Sequence, residues 1–262
     1  MFIHCDQLNN QLILKERPKR IISLVPSQSE FLWHIGLHEE LVGITKFCIH
    51  PDEMFRTVER VGGTKNLDLD KIRALRPDLI IGNKEENERS QIEALQQEFP
   101  VWMSDIFNFE DAFDMMEKLG AIFEKQKEAK AIVSKIKKHL PSVKNIFSGQ
   151  SLAYFIWNKP YMLAAQDTFI DHVITYLGFK NAAAGLLRYP ELSDEALQKI
   201  NPAVCFLSSE PFPFKEKHVQ ALQQTLPHAK ILIVDGEVFS WYGSRLQHLT
   251  SYVKELAKQI NG

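Results

Sequence analysis

The chain has 262 residues, 45% of them hydrophobic and 24% charged, ordinary globular values that allow one large domain or two of roughly 130 residues. The 31 basic and 33 acidic residues leave a net charge of −2, which gives neither the basic excess that nucleic acid demands nor an acidic tail. No stretch approaches about 18 uninterrupted apolar residues, so no membrane span is predicted.

In chain order, residues 20–25 (RIISLV) predict a buried strand and 29–35 a short helix ending at Gly36. A strand over 40–45, a helix over 68–75, a strand over 78–81, a helix over 88–98 and a strand over 101–104 follow. Strands alternating with helices imply parallel β-α units. Between Asn108, a cap candidate, and Pro141, a stop, apolar residues from Phe109 and Phe113 to Ile136 and Leu140 read as recurring every three to four residues, one amphipathic face. That pattern predicts one long helix over 108–140. It reads either as a packing helix within one domain or as a strut between two, and the strut is preferred because the β-α pattern restarts after it. Strands are predicted over 151–157, 203–207 and 231–234. Helices are predicted over 168–177, 194–200, 217–225 and from about 244 to 260.

The two halves repeat. Residues 67–77 (LDLDKIRALRP) superimpose on 192–202 (LSDEALQKINP) at a constant offset of 125. Asp68 falls on Ser193 as a cap, Ile72 on Leu197, Leu75 on Ile200 and Pro77 on Pro202, and a buried strand follows in both. Asp105 then meets Asp235 at the end of the next strand. The expected fold is therefore α/β: two Rossmann-like lobes with mostly parallel central sheets, residues 1–107 and 141–262, joined by one long interdomain helix over 108–140. A cleft between such lobes is where a small molecule is expected to bind.

Catalytic signatures are sparse. Residues 61–65 (VGGTK) look phosphate-like, but the spacing of a nucleotide loop is missing and the glycines fit a turn better. His34 and His38 are four apart with Gly36 between them and no further ligand pattern, so they read as solvated or capping residues and no metal is expected. Cys5, Cys48 and Cys205 have no CxxC spacing and form no disulfide framework; Cys205 reads as a small buried hydrophobe. Asp70 and Glu195 each follow a helix cap by two residues. Singly, each offsets a helix dipole; as a matched pair they could contact arginines of a two-fold partner. Aromatic residues gather in loops rather than on helical faces: Phe47, Trp157 to Tyr161, Tyr189, and Phe239 to Arg245 with Trp241 and Tyr242. In α/β sheets, loops beyond the carboxyl ends of strands bind ligands, and rings there suit a large, partly apolar one.

Residues 20–27 (RIISLVPS), Ser29-Glu30, Leu41-Val42-Gly43-Ile44 and the block from Val61-Gly62-Gly63 through 75–81 (LRPDLII) resemble the helical-backbone substrate-binding proteins of ATP-binding-cassette importers. The resemblance runs from about Lys19 to the C-terminus and is closest to the cobalamin-binding branch. It implies that the protein is not an enzyme and needs no cofactor. The transported ligand would be a corrinoid, cobalamin or cobinamide, with haem or a ferric siderophore as the alternative. The partner it implies is an importer permease, docked through one acid on each lobe; those acids match Asp70 and Glu195. Ligand contacts are carried onto Phe47, Thr64, Tyr161, Tyr189 and the loop holding Glu237, Trp241, Tyr242 and Arg245. Thr64 stands where the cobalamin binder has a tryptophan, which weakens the expectation of intact cobalamin.

The resemblance also implies a monomer in the periplasm or at the cell surface. The sequence opening Met1-Phe2-Ile3-His4-Cys5-Asp6 shows neither a leader nor a lipobox with its linker, so a cytosolic location stays open. A rival reading is a cytosolic metallocofactor handler or enzyme on the same frame, with Cys48, His50 and Glu237 as loose candidates.

Overall fold

The computed structural model describes residues 2–261 and divides into two compact units. Met1 and Gly262, the outer ends of the two expected lobes, lie outside the described residues. Unit 1 takes the chain up to Ile106, Glu110–Ile136 and Tyr242–Arg245; unit 2 takes Phe107–Phe109, Lys137–Trp241 and the chain from Leu246.

Unit 1 opens with an antiparallel hairpin, β1 (Phe2–Cys5) and β2 (Gln11–Leu14). Then come β3 (Ile21–Ser23), α1 (Pro26–His34), β4 (Leu41–Ile44), α2 (Asp52–Thr57) and β5 (Glu59–Arg60). A two-residue ribbon, β6 (Gly62–Gly63) with β7 (Asn66–Leu67), leads into α3 (Leu69–Leu75). The rest of the sheet follows as β8 (Leu79–Asn83), α4 (Arg89–Gln96) and β9 (Val101–Ser104). The five strands run in the order β5-β4-β3-β8-β9, all parallel. Helix α1 starts on Pro26, whose fixed φ and missing N–H suit a first helical position. From Pro26 to Trp33 it is buried all round, so Ser27, Gln28, Ser29 and Glu30 lie inside the unit. The core below the sheet is Ile22, Leu24, Val61, Ile72, Ile80, Ile92 and Leu95.

The expected single helix over 108–140 is instead two: α5 (Phe109–Ile122) and α6 (Gln126–His139). The break is a Schellman turn. Lys125 donates its N–H to the Gly120 carbonyl and Glu124 donates to Ala121, with Glu124 left-handed at φ 57°. A Cβ on Gly120 would stand 2.5 Å from the Ala129 Cβ, so the two helices approach too closely there for any side chain but a hydrogen. From Glu110 to Ile136 these helices belong to unit 1.

Unit 2 begins with a 3-10 turn at Leu140–Val143. It continues through β10 (Ser151–Trp157), β11 (Tyr161–Leu163), α7 (Phe169–Tyr176), β12 (Lys180–Asn181) and β13 (Glu191–Leu192). Next are α8 (Asp194–Ile200), β14 (Val204–Ser208), α9 (Glu216–Thr225), β15 (Lys230–Val234), α10 (Gly236–Ser240) and α11 (Leu246–Asn261). The sheet order is β13-β11-β10-β14-β15. Strands β10, β14 and β15 are parallel, whereas β11 and β13 turn back antiparallel. Strand β14 is buried at all five positions, as a central parallel strand must be.

The repeat extends to backbone geometry. Helices α3 and α8 each have seven residues, capped at the N-terminus by Asp68 and Ser193 and closed by left-handed Arg76 and Asn201. Leu79 corresponds to Val204 and Asn83 to Ser208, again at an offset of 125. Ile80 pairs with Val101 in one unit as Cys205 pairs with Ile231 in the other, so the register of the next strand is the same. The units differ on the other flank, where unit 1 carries parallel β4 and unit 2 the antiparallel β10–β11 hairpin.

Candidate functional site

In unit 1, buried polar side chains form a layer at the carboxyl ends of β3, β8 and β9. Ser29 Oγ donates to Ser23 Oγ (2.7 Å) and lies 3.2 Å from the Cys48 sulfur, which is also 3.1 Å from Thr45 Oγ1. Gln28 Nε2 and Asn83 Nδ2 both donate to Ser104 Oγ. Asn87 accepts from the Asn83 N–H and donates to the carbonyls of Leu24 and Thr64, tying the β6–β7 turn to the sheet. Burial pushes the Cys48 thiol up to about 11, so at neutral pH it is no nucleophile.

Phe47 and Thr64 stand above this layer. The Phe47 ring is 49% exposed, has the Lys46 ammonium 5.1 Å from its centroid, and lies 3.2 Å from where a Cβ on Gly63 would be. Thr64 is half-buried. The loop after β4 and the turn after β6 are thus brought together around Phe47.

Tyr242, Gly243, Ser244 and Arg245 also belong to unit 1, where they are fastened to α1 and to the loop after β8. The Tyr242 hydroxyl donates to Glu86 Oε1 at 2.6 Å, and burial followed by the Glu86 carboxylate keeps that hydroxyl protonated. Ser244 Oγ is 2.6 Å from His34 Nδ1. Arg245 donates twice to Glu30, at 3.0 and 2.8 Å, and Glu30 is only 3% exposed. Tyr242 and Arg245, expected as ligand contacts, therefore hold the segment that contains them.

In unit 2, Trp157 ends β10 with its ring 42% exposed and edge-on to Phe212 at 5.4 Å. Phe212 follows β14 and packs on Phe214 and His218. Tyr161 lies edge-on to Phe155 at 5.7 Å, and partial burial, then Asp194, raises its hydroxyl pKa. Tyr189 is half-buried, with the Arg188 guanidinium 5.7 Å from its centroid and 5.8 Å from that of Phe107. Glu237 is half-buried in the first turn of α10, where Asp235 caps its N–H. Trp241 is buried and donates its indole N–H to Glu210 Oε1 at 2.8 Å, an oxygen that Ser240 Oγ also reaches.

Asp70 and Glu195 occupy matching places, the second residue of α3 and of α8. The Asp70 side chain is 95% exposed and takes one bond from Arg73, which also grips Glu98. Glu195 is exposed, and a hydrogen bond from Ser193 lowers its carboxyl pKa. Sequence reasoning did not single out Glu86, Glu210 or Phe212, nor Glu30 as the partner of Arg245. A signal for Glu210 was present: it aligns with Glu85, the neighbour of Glu86, at the repeat offset.

The chain thus holds two α/β units that repeat one strand register, with aromatic residues in loops at the carboxyl ends of strands. Residues 21–230 match the periplasmic binding protein family, and the chain belongs to it. That is a family of transport substrate-binding proteins. The chain is 27% identical to an uncharacterized ABC transporter substrate-binding lipoprotein, YvrC of Bacillus subtilis, over 97% of this chain and 84% of that one. It is 27% identical to the vitamin B12-binding protein of Vibrio campbellii over 72% and 70% of the two chains. Among solved structures, the vitamin B12-binding protein BtuF of Vibrio cholerae superimposes with a TM-score of 0.73 at 22% identity, covering 93% and 99%. The haem-binding protein BhuT does so with 0.80 at 21% identity, covering 92% and 98%. No helix among the described residues is long and apolar enough to cross a membrane.

Proposed function

We propose that the protein captures a corrinoid, held by its aromatic loops, and delivers it outside the cytoplasmic membrane to the permease of an ATP-binding-cassette importer. The observation that carries the reading is the placement of half-exposed rings at the carboxyl ends of strands in a transport-family fold: Phe47 in the loop after β4 of unit 1 and Trp157 as the last residue of β10 in unit 2. A ring left half in water at such a loop offers a flat, partly apolar ligand a face to stack on. The vitamin B12-binding relatives support a corrinoid among the flat ligands. Asp70 and Glu195, presented alike on two matched helices, suit docking onto permease arginines.

Arg188 favours a second reading. A guanidinium beside the rings of Tyr189 and Phe107 would also suit a flat ligand bearing carboxylates, such as haem. Titration of the protein with cobinamide, cobalamin, haem and a ferric siderophore, followed by absorbance and calorimetry, separates the readings. Micromolar or tighter binding of a corrinoid is expected. Preference for haem, lost in Arg188→Ala, would replace the first reading with the second, and silence from all four would overturn both.

A further inference from the structure

The chain leaves unit 2 and enters unit 1 across a single peptide bond, between Trp241 and Tyr242. The side chain on each side of that bond ends in a hydrogen-bond donor, and each donor meets a carboxylate of its own unit. Trp241 Nε1 donates to Glu210 at 2.8 Å in unit 2, and Tyr242 Oη donates to Glu86 at 2.6 Å in unit 1. The two acids lie in matching loops of the repeat, one position out of register. Glu210 comes two residues after the end of β14, and Glu86 three residues after the end of β8, next to the aligned Glu85.

Both acid loops are themselves fixed from the last residue of their strand. Asn83 Oδ1 accepts the N–H groups of Glu85 and Glu86, at 2.8 and 3.0 Å. Ser208 Oγ bonds the backbone of Glu210. The segment beyond the crossing has no slack either. A Cβ on Gly243 would meet the Ser27 carbonyl oxygen at 2.3 Å, and Arg245 is bound twice by buried Glu30.

We propose that Glu86 and Glu210 are paired positioning residues that pin the Trp241–Tyr242 crossing from its two sides and so hold the residues from Glu237 to Arg245 in one conformation. Hydrogen bonds to a carboxylate are among the stronger neutral-donor bonds, and both donors sit on buried rings, Trp241 and Tyr242. A crossing pinned at both ends cannot slip in either direction without breaking one of them. The pinning rests on this chain's own contacts; that it serves ligand affinity rests on the proposed function.

The test is amide hydrogen exchange on the whole, ligand-free protein. Tyr242→Phe removes one donor and keeps the ring; Glu86→Ala and Glu210→Ala remove the acceptors, and Glu86→Gln and Glu210→Gln restore an uncharged one. Exchange across 240–245 should rise at least about tenfold in Tyr242→Phe and in each alanine variant, with β8 and β14 amides unchanged. The glutamine variants should recover part of the protection. In a cobinamide titration, the alanine variants should bind more weakly and the glutamine variants in between. Exchange over 240–245 within about twofold of wild type in all variants would overturn the pinning. So would a rise spread equally over β8 and β14, which would mean loss of the whole unit. If no ligand binds but the exchange result holds, the proposed function fails and the pinning stands.

Discussion

Gly243 has no room for a side chain, because the Ser27 carbonyl at the start of α1 occupies the place of its Cβ. Gly243→Ala should cost about 1–3 kcal/mol, the usual penalty for overpacking. Urea unfolding measures it, and an unchanged midpoint would mean that the segment is not seated on α1. The buried Glu30–Arg245 pair gives a larger effect. Glu30→Ala leaves a guanidinium, only 13% exposed, without its carboxylate and should cost about 3–5 kcal/mol by the same measurement.

Glu210 adds a pH dependence. Burial, reinforced by Glu237 and Asp235, raises its carboxyl pKa above the usual carboxylate value, so in the window between the two values the folded state holds a proton that the unfolded chain has released. Its stabilisation is full below about pH 4.5 and is lost as pH rises through the raised value. Stability of wild type minus Glu210→Gln should therefore fall across that window; a difference that climbs with pH would refute the assignment. Thiol reactivity tests the same kind of burial. Cys5 is exposed and should react promptly with a thiol reagent, whereas Cys48 and Cys205, pushed up to about 11 and about 12, should react only on unfolding.

At the scale of elements, most strands and helices were legible because their cores announce themselves. The strands over 101–104 and 151–157 and the helix over 194–200 form where the pattern places them, the first two bounded by apolar runs and the third by a serine cap and the Asn-Pro end. The break between α5 and α6 was not legible. Its left-handed position is filled by Glu124 rather than the glycine that normally marks a helix end, and three residues of turn leave the apolar pattern nearly in phase. The only trace is the six-residue step from Phe123 to Ala129. Glu124→Gly should stabilise the protein by about 0.5–1 kcal/mol, the relief of a left-handed residue less the added entropy of the unfolded chain. Thermal unfolding reads the sign, and a lower midpoint would contradict the Schellman geometry. Helix α10 was read as loop because its five residues show no full period, and β11 with β13 because two or three residues carry no alternation.

For the molecule as a whole, the offset of 125 was the most informative feature of the sequence, since it recurs in the helix caps and in the limits of the strand that follows, and the next strand repeats the same pairing at an offset of 130. The membership of Tyr242–Arg245 in unit 1 lay beyond sequence reading. Nothing local to those four residues encodes partners that are 156 and 215 positions away. That is why the carboxylate partners of Tyr242 and Arg245 went unnoticed. Asp70 and Glu195 are the opposite case: nothing buries them, and the structure gives each only local bonds within its helix or cap. Replacing both with arginine should change stability by less than about 0.5 kcal/mol, since neither holds a core element. If the pair docks the permease, Asp70→Arg with Glu195→Arg turns two attractions for arginine into two repulsions. Uptake of the bound ligand by reconstituted importer vesicles should then be lost, while calorimetric affinity for the ligand stays at the wild-type value. Equal loss of affinity and uptake would move the two acids into the ligand site and leave the docking surface still to be found.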